Sequence, residues 1–335
     1  MDRMNAAARP ELDFAGWLPI RLFVKDETVW VDWCYRADAL LRAPFFQDDA
    51  QRLVSRPFNR AFRRYTPIAE LVTWARQSAG QLRVAPLKAL VAHVSRCGST
   101  LVSQMLAHQP THVVMSEPPM LDMLINIRHR LPHVSRAQQI EWLRALVYAL
   151  GQAPEAEQHL VVKLDAWHII EHELITAAFT DVPWIFLYRD PVEVAASQRL
   201  QRASYMVPGM VSAISRLVEV QASARVPAEQ HIAAVLGKFF EAGARVCEEG
   251  GAIAVNYRSL PALMWTVLAK PLGLPDNPET IAALKERAGR NAKAPPMTFK
   301  PDSEAKQAAA TMQLRDAVNA SCGGAFERLQ GLAVQ

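Results

Sequence analysis

Five short apolar segments, each followed by a stretch with helical periodicity, constrain the fold of this chain more than any other feature. They are Leu90–Val94, His112–Met115, Leu160–Leu164, Trp184–Tyr188 and Ala252–Asn256. Continuous apolar runs of this length are typical of parallel strands that helices cover on both faces. The pattern therefore predicts a three-layer α/β fold with a mostly parallel sheet, in which ligands bind at the carboxyl ends of the strands.

The first eighty or so residues follow a different pattern. Ile20–Tyr35 contains two β-rich runs on either side of Lys25, Asp26 and Glu27, which predicts a β-hairpin, and Pro67–Ala79 predicts a helix. We therefore expect a small N-terminal accessory region over residues 1–82 and a main domain over residues 83–335. The sequence assigns no function to the accessory region, which could pack on the core, cover a substrate, or mediate self-association as a homodimer.

Composition excludes several classes of protein. A net charge of +4 is too small for the dense Lys/Arg footprint of a nucleic-acid binder, although it suits a small anionic ligand. The four cysteines show no CxxC pair and no nearby histidine at ligand spacing, so neither a disulfide framework nor a zinc site is indicated. No signal peptide or membrane span is recognisable. The sequence therefore predicts a cytoplasmic enzyme without a metal.

Polar residues follow every one of the predicted parallel strands. In chain order these are Ser95–Thr100, Glu117, Asp165–His168, Arg189 with Asp190, and Tyr257. Because the carboxyl ends of parallel strands meet at one edge of a sheet, we expect these side chains to lie close together.

The first of these segments joins a strand to an amphipathic helix and has the character of a phosphate-binding loop. Gly98 lets backbone amides approach an anion closely, and the unpaired N–H groups at the start of the helix favour phosphate. The lysine of a nucleotide triphosphatase loop is missing, since Ser99 occupies its place, which argues against ATP hydrolysis. Cys97 lacks the arginine of a tyrosine-phosphatase loop and is interpreted as a packing residue. The predicted phosphate-binding residues are Ser95, Arg96, Cys97, Gly98, Ser99, Thr100 and Leu101.

A second segment, YRDPVEVAAS over Tyr188–Ser197, also turns from a strand into a helix. Asp190 is a credible N-cap, and Glu193 completes a D-x-x-E capping box. Helix initiation does not explain Arg189 and Ser197, which are the residue types that a second phosphate site needs.

The combination of SRCGSTL with a strand ending in YRDPVEVAAS resembles the sulfotransferase family that uses 3′-phosphoadenosine-5′-phosphosulfate (PAPS) as donor. The similarity is strong over residues 88–200, is weaker in VNYRSLP at Val255–Pro261, and points to a bacterial branch with an SRCGST loop. In that family the loop holds the 5′-phosphosulfate, and an arginine and a serine eight residues later bind the 3′-phosphate. Arg189 and Ser197 have this spacing.

The resemblance implies sulfonate transfer from PAPS, without a metal, to a hydroxyl or amine of a small-molecule or glycan acceptor. Two features depart from the family. Arg96 stands in place of the usual loop lysine, which keeps the charge but removes a proton donor. The glycine-rich segment that closes over the 3′-phosphate is missing, and Arg287, Arg290 and Lys293 are candidates to replace it.

The remaining polar residues suggest the chemistry. Glu117 is the candidate base, a role that the resemblance supports, although it could instead start the helix that follows it. Lys163 could stabilise the transferring sulfonate. Asp165 could pair with Lys163 and cap the next helix, and His168 is an alternative base. Trp167 is interpreted as a packing residue.

Two other functions remain open at the level of sequence. A small-molecule kinase or phosphotransferase would share the P-loop fold but use ATP and Mg²⁺. A catalytically silent nucleotide-binding protein would keep the fold without turnover.

Overall fold

The computed structural model describes residues 13–153, 156–210, 226–293 and 302–334. A parallel five-stranded sheet forms its centre. A smaller antiparallel sheet of three strands precedes it. The strands are β1 (Trp17–Lys25), β2 (Thr28–Tyr35), β3 (Arg64–Pro67), β4 (Leu87–His93), β5 (His112–Ser116), β6 (His159–Lys163), β7 (Trp184–Tyr188) and β8 (Ala252–Asn256). The predicted α/β class is confirmed.

Helices pack around the two sheets. They are α1 (Phe46–Val54), α2 (Pro57–Ala61), α3 (Ile68–Ser78), α4 (Ser99–Ala107), α5 (Pro119–Ile125), α6 (Ile127–Arg130), α7 (Arg136–Leu150), α8 (His172–Ala178), α9 (Pro191–Leu200), α10 (Ala228–Glu248), α11 (Ala269–Leu272), α12 (Pro278–Ala288), α13 (Ser303–Ala309) and α14 (Met312–Leu332). Short 3₁₀ turns lie at Ala166–Glu171, Ser204–Met206, Tyr257–Ser259 and Ala262–Trp265. Among the helices of the described ranges, none has the length and apolarity that a bilayer crossing requires.

The order of the large sheet is β5-β6-β4-β7-β8, and every neighbouring pair is parallel. The chain enters at the central strand β4, builds β5 and β6 on one side, and then crosses to β7 and β8 on the other. The loop after β4 therefore lies at the topological switch point, where open α/β sheets bind their ligands. The bounds predicted for these five strands agree with the observed bounds to within three residues at every end.

The predicted hairpin is confirmed and is longer than expected, because β1 begins at Trp17. Asp26 and Glu27 form its turn with φ of 48° and 57°. Two successive left-handed residues match the right-handed twist of the flanking strands. The small sheet packs on the main body: the guanidinium of Arg36 donates to Glu157 at 2.8 Å and to the carbonyl of Gln152, and all three residues are buried.

The C-terminal tail corrects one prediction. The sequence after Lys293, KAPPMTFKPDSEAK, predicts a loop that enters one final helix over Ser303–Leu329. In the structure the chain instead breaks at Ala310 and starts a new helix, α14, whose N-cap is Thr311. The Thr311 hydroxyl accepts the N–H of Leu314 at 3.2 Å, so a side-chain cap starts the second helix. The pattern of small residues around it did not predict a helix boundary at this position. The loop predicted before this tail, at 294–301, lies outside the described residues.

Candidate functional site

The loop between β4 and α4 is wound by left-handed residues. Ser95, Arg96 and Gly98 have φ of 71°, 52° and 84°. Turns of this kind form concave arrangements of backbone amides that bind anions, and the first turn of the nine-residue helix α4 adds further unpaired N–H groups. A Cβ atom at Gly98 would lie 2.8 Å from the ring of Tyr257, so this position requires glycine for both its conformation and its neighbour.

Cys97 does not point into this turn. Its thiol is buried and donates to the carbonyl of Leu187 at 3.2 Å, in β7. Burial raises the pKa of the thiol to about 11, so it stays protonated at neutral pH. The predicted packing role fits this geometry, and any contact of Cys97 with a ligand would be made by its backbone.

Two adjoining pockets open at the loop. The first, here called the loop pocket, is lined by Arg96, Gly98, Ser99, Thr100, Leu101, Arg189, Ser197, Tyr257, Arg290, Asn291, Ala292, Lys293, Asp302 and Lys306. The second, here called the carboxylate pocket, is lined by Phe45, His93, Ser95, Arg96, Ser99, Thr100, Glu117, Asp165, Gln201, Ala203, Tyr205 and Lys293. Arg96, Ser99, Thr100 and Lys293 belong to both, so the two pockets meet at the amino end of α4.

Arg189 has several hydrogen-bond partners in the loop pocket. Its buried guanidinium donates to the carboxylates of Glu193 and Asp302, the latter at 2.8 Å, and to the hydroxyl of Ser303 at 2.9 Å. It also stacks on the ring of Tyr257, with 4.2 Å from Cζ to the ring centroid. This arrangement corrects the predicted capping box: Asp190 caps α9, but Glu193 binds Arg189 instead of the N-cap amide.

The segment after α12 also contributes cations to the loop pocket. Arg290, Lys293 and Lys306 all line it. Arg287, which was a candidate for the same role, lies elsewhere: its buried guanidinium donates to Gln104 Oε1 at 2.7 Å. Lys306 and Asp302 were not found from the sequence, because DSEAK reads as an ordinary helix start with an acidic cap.

Glu117 and Lys163 form an ion pair behind the carboxylate pocket. Glu117 follows β5, and Lys163 is the last residue of the neighbouring strand β6. The N–H of Glu117 donates to the carbonyl of Lys163 at 2.8 Å. The fully buried Lys163 ammonium donates to Glu117 Oε1 and lies 5.1 Å from the ring centroid of Phe45. Glu117, and not the predicted Asp165, is the ion-pair partner of Lys163, because Glu117 directly follows the adjacent strand β5. Its backbone is left-handed, with φ of 55°.

The charge state of Glu117 follows from these contacts. Burial alone would raise its pKa, but the Lys163 ammonium and the imidazole of His93, with Nε2 at 3.4 Å, outweigh burial and hold the pKa well below its usual range. Burial lowers the pKa of His93, which therefore stays neutral beside the pair. His93 was missed in the sequence, although a histidine at the end of an apolar strand was a signal for a buried polar contact.

His168 lies outside both pockets. It is fully buried, its Nδ1 accepts the N–H of Asp165 at 3.2 Å, and its Nε2 lies 3.6 Å from Asp122 Oδ1. Trp167 packs beside it and donates its indole N–H to Asp122 at 2.9 Å, in agreement with a packing role.

Asp122, Asp165 and His168 have potential ligand atoms within 4.8 Å of one another. Because Nδ1 accepts a hydrogen bond, the ring proton lies on Nε2, which is the atom that faces the carboxylates. A protonated nitrogen cannot bind a cation, so the group does not suit a metal.

Comparison with known proteins leaves the family open. No family model matches the chain, and no curated protein matches it. Among solved structures, the sulfotransferase STF9 from Mycobacterium avium is similar over 71% of this chain and 79% of that chain, with 13% sequence identity and a TM-score of 0.40. A likeness this distant establishes neither activity nor donor.

Proposed function

We propose that this chain is a sulfotransferase that transfers the sulfonate group of PAPS to an acceptor. The observation that supports it most is the convergence of two separate anion-binding groups on one pocket: the glycine loop at the start of α4, and Arg189 with Ser197 on α9. A nucleotide with phosphates on both its 5′ and 3′ positions needs two such groups. A nucleoside triphosphate needs a lysine in the loop and Mg²⁺, and Ser99 holds that place here.

In this proposal the 5′-phosphosulfate lies on the backbone amides of Gly98–Leu101. Arg96, whose guanidinium donates to the carbonyl and side-chain oxygens of Gln201 at 2.8 and 3.2 Å, lies where the two pockets meet. It would stabilise the negative charge that develops on the bridging phosphate oxygen as the bond to sulfur breaks. An arginine remains protonated there, so it supplies charge without giving up a proton.

Lys293 is better suited than Arg96 to donate a proton to the bridging phosphate oxygen. It lines both pockets, and burial, together with the cations of Arg96 and Lys163, lowers its pKa to about 8. An ammonium with this pKa is still mainly charged at pH 7 and gives up its proton more readily than an exposed lysine. We assign Lys293 the part that the loop lysine has in the family that the sequence resembles.

The 3′-phosphate would bind Arg189, with Ser197 and Lys306 beside it. The Asp302 carboxylate now holds part of this position, so the phosphate would take its place as the partner of Arg189 and Lys306. A phosphate monoester carries a charge of roughly −1.5 to −2 at neutral pH and has three acceptor oxygens, so it is the stronger partner.

Titration calorimetry tests the donor. We expect the bis-phosphorylated product PAP to bind without metal, and ATP with Mg²⁺ to bind much more weakly. Incubation with PAPS and a metabolite extract should then give a product that has gained one sulfonate group by mass spectrometry. Tighter binding of ATP–Mg²⁺ than of PAP would instead favour a phosphotransferase, and PAP binding without any turnover would favour a silent nucleotide-binding protein.

A further inference from the structure

The groups that border the carboxylate pocket differ in whether they can accept a proton. Glu117 has the position of a base, but Lys163 donates to it and the imidazole of His93 faces it. Its negative charge is neutralised within the pair, and its pKa lies well below the usual range. A carboxylate this weakly basic takes a proton from an acceptor poorly, since base efficiency falls as the pKa drops away from the working pH.

Neither histidine near the pocket offers a free nitrogen lone pair. His93 Nδ1 accepts the N–H of Ser95 at 2.9 Å, so the neutral ring carries its proton on Nε2, which faces Glu117. His168 has the same arrangement: Nδ1 accepts the N–H of Asp165, and Nε2 faces Asp122. In both rings the proton therefore lies on Nε2, which makes no hydrogen bond to a described residue although a carboxylate oxygen lies 3.4 Å from it in His93 and 3.6 Å in His168, so both are poorly suited to remove a proton.

Asp165 is the carboxylate that remains. It lies two residues beyond the end of β6, at the carboxyl edge of the sheet, and lines the carboxylate pocket together with Ser99 and Thr100 at the amino end of α4. Burial, together with the negative charges of Glu117 and Asp122, raises its pKa to about 6 against the opposing effects of His168 and Lys163. Such a group is ionised at pH 7 and is more basic than an exposed aspartate.

We infer that Asp165 is the general base of the transfer and that the acceptor is a hydroxyl compound; the inference rests on the proposed function. The acceptor oxygen forms a bond to sulfur while the bond from sulfur to the bridging phosphate oxygen breaks. The hydroxyl proton passes to Asp165, and the electron pair of the broken bond stays on the phosphate of PAP. A hydroxyl needs a base because its oxygen must lose a proton as it attacks, whereas a neutral amine attacks with its own lone pair. Glu117 keeps the buried Lys163 paired and is a positioning residue.

The test uses conversion of PAPS to PAP in a single turnover, with water as acceptor and with any hydroxyl acceptor found in the metabolite screen. Asp165→Asn should slow conversion by about 10²–10⁴, the usual contribution of a general base, while PAP affinity stays unchanged. Asp165→Glu keeps a carboxylate and should recover part of the rate. Asp181→Asn, at an exposed aspartate away from both pockets, is the matched control and should have no effect.

The pH profile separates Asp165 from Glu117. The wild-type rate should rise with pH through an inflection near 6, which Glu117→Gln keeps and Asp165→Asn loses. A normal rate in Asp165→Asn, or loss of the inflection in Glu117→Gln alone, would overturn the assignment and leave the proposed function standing. A wild-type protein that converts no PAPS, whether or not it binds PAP, would overturn the proposed function and the assignment of Asp165 with it.

Discussion

The guanidinium of Arg189 donates to the carboxylate of Asp302 at 2.8 Å, inside the pocket that the glycine loop opens. The second oxygen of the same carboxylate lies 2.8 Å from the ammonium of Lys306, one helical turn further along. Burial alone would raise the pKa of Asp302, but Lys306 and Arg189 outweigh burial and lower it. The chain thus places its own anion between two cations that the proposed function gives to a phosphate.

Replacing Asp302 by asparagine should tighten the binding of PAP. The substitution removes a charged competitor for Arg189, and a charge-assisted hydrogen bond contributes roughly 1.5–3 kcal/mol, so a gain of about tenfold is expected at about 1.4 kcal/mol per decade. The affinity for AMP, which has no 3′-phosphate, should not change. Calorimetry with both nucleotides measures this, with the exposed Asp276→Asn as control variant. Weaker PAP binding in Asp302→Asn would show that the carboxylate holds Arg189 in place for its ligand.

Replacing Arg189 by alanine should weaken PAP binding by about ten- to a hundredfold, because the 3′-phosphate loses its charged donor. Arg199→Ala is the matched control: Arg199 lies on the same helix α9, but it faces Glu229 at 3.4 Å and lines neither pocket. The two variants should therefore differ clearly in the dissociation constant of PAP. An unchanged constant in Arg189→Ala would remove this residue from the nucleotide site.

The pH dependence of kcat/KM should be bell-shaped. Asp165 has to be deprotonated to accept a proton, so activity rises as pH passes its pKa of about 6. Lys293 has to be protonated to stabilise the leaving phosphate, so activity falls as pH passes its pKa of about 8. The profile of kcat/KM reports the free enzyme, to which both values apply. Lys293→Gln should lower the rate and abolish the descending limb, and a descending limb that survives this substitution would assign it to another group.

Stability depends on the contact between the sheet and α10. A Cβ atom at Gly243 would lie 2.0 Å from Cζ of Phe186 in β7, so Gly243→Ala must displace a fully buried ring. Overpacking of this kind costs about 1–3 kcal/mol of unfolding free energy. Gly323→Ala is the control, since nothing lies within 4 Å of a Cβ atom there in α14, and alanine should stabilise that helix by about 0.8–1 kcal/mol. Urea unfolding compares the two variants, and equal effects of the same sign would contradict this packing.

The parallel sheet could be predicted from the sequence because its strands are short, apolar and buried on both faces. The hairpin was predictable for a similar reason, since polar turn residues interrupt two β-rich runs. The loop and Arg189 were predictable because each directly follows such a strand. The start of α14 in the C-terminal tail could not be predicted, because it depends on a single threonine N-cap and helical periodicity contains no information on caps.

The partners within the site depend on strand order, which periodicity does not contain. Glu117 meets Lys163 because β5 lies beside β6, and the same residues would not touch in another order. Asp302 and Arg189 are more than a hundred residues apart in the sequence, so no local pattern predicts their contact. The pKa of Asp165 likewise depends on burial and on charges from other elements.

The most direct measurement is a crystal structure of the protein with PAP bound. We expect the 5′-phosphate to lie on the backbone amides of Gly98–Leu101, the 3′-phosphate to contact Arg189, Ser197 and Lys306, and the Asp302 carboxylate to have left Arg189. A nucleotide bound outside the loop pocket, or a 3′-phosphate without contact to Arg189, would contradict it.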